Sequence, residues 1–126
     1  MTQPKLGHRA IDAYNRLCRE VAAYNYVLRE TAQKGPVGWE TLMALNGMVI
    51  LANRLFRRHA DLPRFLPVNV REPMSQADFA VLITRLTAAC IHFEEHYAPA
   101  QRQASGSGQP EMFRHYAAVT RSRYRR

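Results

Sequence analysis

The sequence predicts an all-α fold, a compact helical bundle of three long helices followed by a shorter C-terminal helix. Apolar residues recur at three- and four-residue steps over long stretches, no run alternates with the period of two that a half-buried strand needs, and Pro and Gly fall between the periodic stretches. At 126 residues the chain suits one domain with its own core, and 47% hydrophobic against 22% charged residues is the balance of a folded globular protein.

The first helix is read from Ile11, Tyr14, Leu17, Cys18, Val21, Tyr24 and Leu28, one amphipathic stripe. Its end is expected near Lys34, because Gly35 suits a left-handed C-terminal position and Pro36 cannot continue the hydrogen-bond ladder. The second helix is read over residues 39–60, where Leu42, Met43, Leu45, Met48, Val49, Ile50, Leu51, Leu55 and Phe56 are apolar on more than one face. It is therefore expected at the centre of the bundle. Trp39 reads as a core anchor, Met43, Met48 and Met74 as core filler, and Gly47 as the site of a close helix crossing.

Over residues 61–74, Pro63, Pro67 and Pro73 exclude a helix, while Phe65, Leu66, Val68 and Val70 make a freely solvated segment costly. An ordered crossover loop is expected. Ser75, with Asp78 three positions on, is the N-cap of a third helix whose stripe is Phe79, Leu82, Ile83, Leu86, Cys90, Phe93 and Tyr97. Pro99 is expected to stop it. Residues 1–100 thus form the bundle core and 101–110, with Ser-Gly-Ser-Gly, a flexible linker. Residues 111–126 form a basic C-terminal helix or tail of the same domain, with Met112, Phe113, Tyr116 and Val119 or Thr120 on one side.

Eighteen basic residues against ten acidic ones give a net charge of +8, which points to polyanionic partners such as nucleic acid. No apolar run reaches the length of a membrane-spanning helix, and the N-terminal residues lack a secretory pattern, so a cytoplasmic protein without a membrane partner is expected. Cys18 and Cys90 read as buried thiols, since two cysteines make no disulfide framework.

Sixteen of the 18 cations are arginine, which forks bidentately onto phosphate, although a GC-rich coding sequence also raises Arg and Ala together. Their placement is more informative. Arg54, Arg57 and Arg58 close the second helix, and Arg64 and Arg71 follow in the loop, five cations against Asp61 and Glu72 within 19 positions. Cations in a last helical turn are also favoured by the macrodipole, by about 0.3–1 kcal/mol each. Arg114, Arg121, Arg123, Arg125 and Arg126 face only Glu111, with Tyr116 and Tyr124 interleaved, a composition suited to tracking a phosphate backbone and stacking on bases. On the first helix, Arg9, Arg16 and Arg19 lie beside Asp12 and Glu20 and read as a salt-bridged solvent face.

Two short motifs carry possible chemistry. His92-Phe93-Glu94-Glu95-His96 reads H-x-x-E-H, the inverted zinc-protease pattern, which makes His92 and His96 candidate metal ligands; Glu111 and His115 do not obviously supply the third ligand and cleft that a protease needs. The segment otherwise reads as a polar surface at the end of an amphipathic helix. There are no Glu-x-x-His pairs for di-iron chemistry and no Gly-rich phosphate loop ending in Lys-Ser/Thr, so no cofactor is expected. Arg54-Leu55-Phe56-Arg57-Arg58-His59 fits the R-x4-H spacing and resembles the motif of the HEPN ribonucleases, helical proteins that typically pair two such motifs at a dimer interface. Leu55 departs from that pattern, in which a polar residue commonly follows the arginine. The resemblance implies Arg54 and His59 as catalytic residues of a metal-independent ribonuclease.

In size, helical content and basicity, and in the aromatic-rich ending Phe93-Glu94-Glu95-His96-Tyr97, the chain resembles the small subunits of CRISPR effector complexes. That resemblance implies a non-enzymatic subunit of a larger ribonucleoprotein, binding RNA or single-stranded DNA through arginines without reading sequence, and stacking on protein subunits or further copies of itself. The alternatives are a helical protein-interaction module, an adaptor or inhibitor, and the HEPN-like ribonuclease.

Overall fold

The computed structural model describes residues 6–104, with side chains as far as Tyr97. Among the described residues there are three helices and no strand: α1 (His8–Glu30), α2 (Trp39–Phe56) and α3 (Gln76–Ala104). The buried stripe of α1 is Ile11, Tyr14, Leu17, Cys18 and Val21, and α1 packs against both other helices. The central helix is therefore α1 and not α2. From α2 the core takes Leu42, Leu45, Met48, Val49, Ala52 and Phe56. From α3 it takes Phe79, Ile83, Leu86, Ala89, Cys90, Phe93 and Tyr97. Both cysteines are buried.

The second apolar face of α2, which had suggested a central position, looks outward. Trp39 is 63% exposed and Met43 47% exposed, so neither anchors nor fills the core; Met48 is buried and Met74 partly so. Gly47 is exposed and a Cβ built on it would meet nothing within 4 Å, so neither of the other two described helices crosses there.

Helix ends depart from the reading in three places, the first being α2, which ends at Phe56 and not at residue 60: residues 57–58 form a turn and the His59 N–H closes back on the Phe56 carbonyl at 2.9 Å. α1 stops at Glu30, because Thr31 is extended and turns both its N–H (3.0 Å) and its Oγ (2.9 Å) onto the Val27 carbonyl. Gly35 does adopt a left-handed φ of 80°, but in the following turn, next to Val37, whose N–H donates to the Met74 carbonyl at 2.8 Å. α3 begins as expected, with Ser75 Oγ accepting the Asp78 N–H at 3.0 Å. It then continues past Pro99 to Ala104, so residues 101–104 are helix and not linker. Pro99 removes one ladder bond, the one to the carbonyl of Glu95, without ending the helix. The proposed helix over 111–124 lies outside the described residues.

The connector between α2 and α3 is extended and ordered. Asn53 holds both backbone groups of Phe65: its Nδ2 donates to the Phe65 carbonyl and its Oδ1 accepts the Phe65 N–H, each at 2.8 Å. One turn-pair earlier on the helix, Asn46 Oδ1 accepts the N–H of Val68 at 3.1 Å. Three extended residues and seven helical ones both span about 10 Å, so the connector runs antiparallel along one edge of α2. The Phe65 side chain is buried, with the Arg85 guanidinium of α3 5.0 Å from its ring centre. Among the described residues no helix is long and apolar enough to cross a membrane.

Candidate nucleic-acid interface

The last turn of α2, the turn after it and the start of the connector carry four of the arginines singled out in the sequence, and the fifth, Arg71, stands at the connector's far end, toward the start of α2. Arg54 lies on the final helical turn, Arg57 is the C-cap with αR backbone angles, and Arg58 follows it. Arg64 precedes the residue anchored by Asn53, and so runs beside the end of α2 that carries Arg54. Arg71 lies beyond the Val68 anchor, its N–H on Asn69 Oδ1 at 3.0 Å. All five are exposed, and among the described residues no ion pair engages any of them.

Asp61, the acid that falls inside the group in sequence, is taken by a different partner. Its Oδ2 lies 2.5 Å from His92 Nε2, and that bond holds the Asp61 carboxyl below the usual carboxylate range. The salt-bridged face expected on α1 is absent: Arg9, Arg16 and Arg19 make no ion pair with Asp12 or Glu20 among the described residues. Arg114, Arg121, Arg123, Arg125 and Arg126, with Glu111 and His115, lie outside the described residues.

His59 sits three residues past the end of α2, where its N–H donates to the Phe56 carbonyl. Its half-buried ring meets Phe93, His96 and Tyr97 edge-on, with centroids 5.0–5.5 Å apart. Its Nε2 is 2.8 Å from the Tyr97 hydroxyl; a neutral ring with its proton on Nδ1 accepts that O–H. Burial and then the neighbouring His96 push the His59 pKa down, against an opposing pull from Asp61. The R-x4-H motif therefore straddles a helix end. Its arginine is exposed, its histidine faces an aromatic cluster, and no hydrogen bond joins the two among the described residues.

The H-x-x-E-H histidines also diverge, His92 to Asp61 and His96 to His59. Among the described residues no group of three His, Cys, Asp or Glu side chains is arranged to hold a metal ion. The segment is not a wholly polar surface either, since Glu94 is buried. The Tyr14 hydroxyl reaches Glu94 Oε2 at 2.9 Å and the Cys90 carbonyl at 3.2 Å. Burial, first of all, moves the Tyr14 phenol and the Cys90 thiol far above their ordinary ranges, so both stay protonated.

Sequence reasoning missed Asn46 and Asn53, although two asparagines seven apart on one helix edge are a usable signal for a strapped segment. The His59–Tyr97 contact, 38 residues apart, had none. Compared with known proteins, the chain matches no family model, no curated sequence and no solved structure.

Proposed function

We propose that the chain is a non-enzymatic, sequence-independent nucleic-acid-binding subunit of a larger ribonucleoprotein complex. The observation that carries this reading is the set of exposed arginines at the end of α2, Arg54, Arg57 and Arg58, and on the connector strapped along it, Arg64 and Arg71, all free of carboxylate partners among the described residues. Cations that fold no salt bridge contribute little to stability, and they remain available to displace counterions from a phosphate backbone. A rigid mount fixes their spacing and so reduces the ordering cost of binding. The arginines of residues 114–126 add to the same charge by composition. Backbone contacts of this kind position a nucleic acid without selecting its sequence.

The test is fluorescence anisotropy of labelled single-stranded RNA, single-stranded DNA and duplex DNA over a salt series, with the products resolved on a gel afterwards. Binding with a steep salt dependence and intact nucleic acid is expected. Arg57→Ala with Arg58→Ala should weaken binding of every sequence alike and flatten the log–log salt slope by roughly 1.4–1.8. Arg121→Ala with Arg123→Ala tests the tail in the same way. An unchanged slope in the first pair removes the end of α2 from the site. Absence of binding at low salt transfers the reading to a protein-interaction module, and RNA cleavage lost in His59→Ala transfers it to a HEPN-like ribonuclease.

A further inference from the structure

Within α2 the exposed positions are Trp39, Glu40, Met43, Gly47, Ile50 and Arg54. Steps of four, four, three and four residues from Trp39 to Arg54 draw one line along the helix, opposite its buried face. The solvent side of a surface helix is ordinarily charged, yet here no charge falls between Glu40 and Arg54. Ile50 is 50% exposed, and Leu66, 84% exposed, stands on the connector between its two asparagine anchors, level with Ile50.

We infer that this face is the contact between two copies of the chain, with α2 packed antiparallel on α2 about a two-fold axis near Gly47. The spacing is symmetric about that point. With Asn46 and Gly47 at the axis, Met43 lies opposite the second copy's Ile50, and Trp39 lies opposite the second copy's Arg54, a cation over an indole. Glu40 comes within a turn of the second copy's Arg54 and Arg57. A parallel pairing sets Glu40 against Glu40 and Arg54 against Arg54, so the opposite charges at the two ends of the line select the antiparallel one, which also opposes the two helix dipoles. Gly47 has no side chain and open space beside it, which lets the two backbones approach at the crossing. Leu66 widens the strip on each side.

Sedimentation velocity of the full chain between about 1 and 200 µM should show a concentration-dependent monomer–dimer equilibrium. Ile50→Glu, at an exposed position, should weaken the dimer by about 100-fold or more while leaving the far-UV circular dichroism unchanged. Under mild oxidation Gly47→Cys should form a disulfide between copies, the two native thiols being buried. Trp39→Cys should not cross-link to itself, because the two positions stand roughly 22 Å apart along the helices. Trp39→Cys mixed with Arg54→Cys should. Added salt should tighten the dimer by screening the repulsion between two chains of charge +8. Arg54, also one of the proposed nucleic-acid cations, packs on the second copy's Trp39 in this dimer, so the nucleic-acid reading is tested on Arg57 and Arg58 and the dimer on Ile50 and Trp39, and the two proposals fail separately. A chain that sediments as a monomer throughout, a dimer indifferent to Ile50→Glu, or self-cross-linking of Trp39→Cys overturns the inference.

Discussion

Asn53 commits both ends of its amide to Phe65, and that geometry sets a testable cost. Asn53→Ala leaves a partly buried N–H and C=O without their partner and should lower stability by about 2 kcal/mol in urea denaturation. Asn53→Asp keeps the acceptor for the Phe65 N–H but loses the donor, so it should fall between Ala and the parent. His59 gives a pH dependence. Its pKa is lowered in the folded state, so the unfolded chain takes up the proton first, and stability present above about pH 6.5 is lost as pH falls below that value. Asp61 is the reverse case: its lowered pKa contributes stability above about 3.8 that is lost only as pH falls further. The fall in thermal midpoint between about pH 7 and pH 5 should therefore shrink in His59→Gln and persist in Asp61→Asn.

At the scale of elements, Gly47 offers the cleanest stability test. It sits mid-helix, exposed, with room for a methyl group, so Gly47→Ala should stabilise the chain by about 0.5–1 kcal/mol in denaturation at low concentration. The sequence was legible where period and punctuation agreed. The buried residues of α1 all lie in the stripe that helical spacing picks out, those of α3 do so except Ala89 and Glu94, while Tyr24, Leu28 and Leu82 are only partly covered; Ser75 caps α3 where its pattern begins. It was misleading where a local rule met a tertiary choice. Two apolar faces on α2 do not say which is covered inside one molecule, so Trp39 and Met43 were read inward. Gly35 marks a left-handed residue correctly but not the helix end, which Thr31 takes first by turning its hydroxyl onto the ladder. The arginine cluster was visible as spacing, whereas its freedom from acids depends on His92 reaching Asp61 across 31 residues.

For the whole molecule, the tie between the two ends of the described fold is Tyr14, whose hydroxyl bridges to the backbone and a carboxylate of α3 inside an otherwise apolar core. Tyr14→Phe keeps the ring stacked on Phe93, 5.0 Å away, and removes only that bridge. It should cost about 1–3 kcal/mol in denaturant unfolding, more than a surface hydroxyl is worth, because Cys90 and Glu94 are buried. Surface charge acts at the same scale but on different observables. A net +8 is a statement about encounter and salt, not about the fold, so neutralising the α2 arginines should shift binding curves and leave the unfolding midpoint nearly unmoved.

The central position of α1 has a consequence for how the chain is made. The helix that packs against both others is the first to leave the ribosome, and the α3 groups that Tyr14 meets are encoded 76 and 80 residues later. At roughly 5–20 residues per second, the inner stripe of α1 waits some 4–16 s for the partner that covers it. During that interval Ile11, Leu17 and Val21 have only α2 to pack on, and the core closes once α3 has been made.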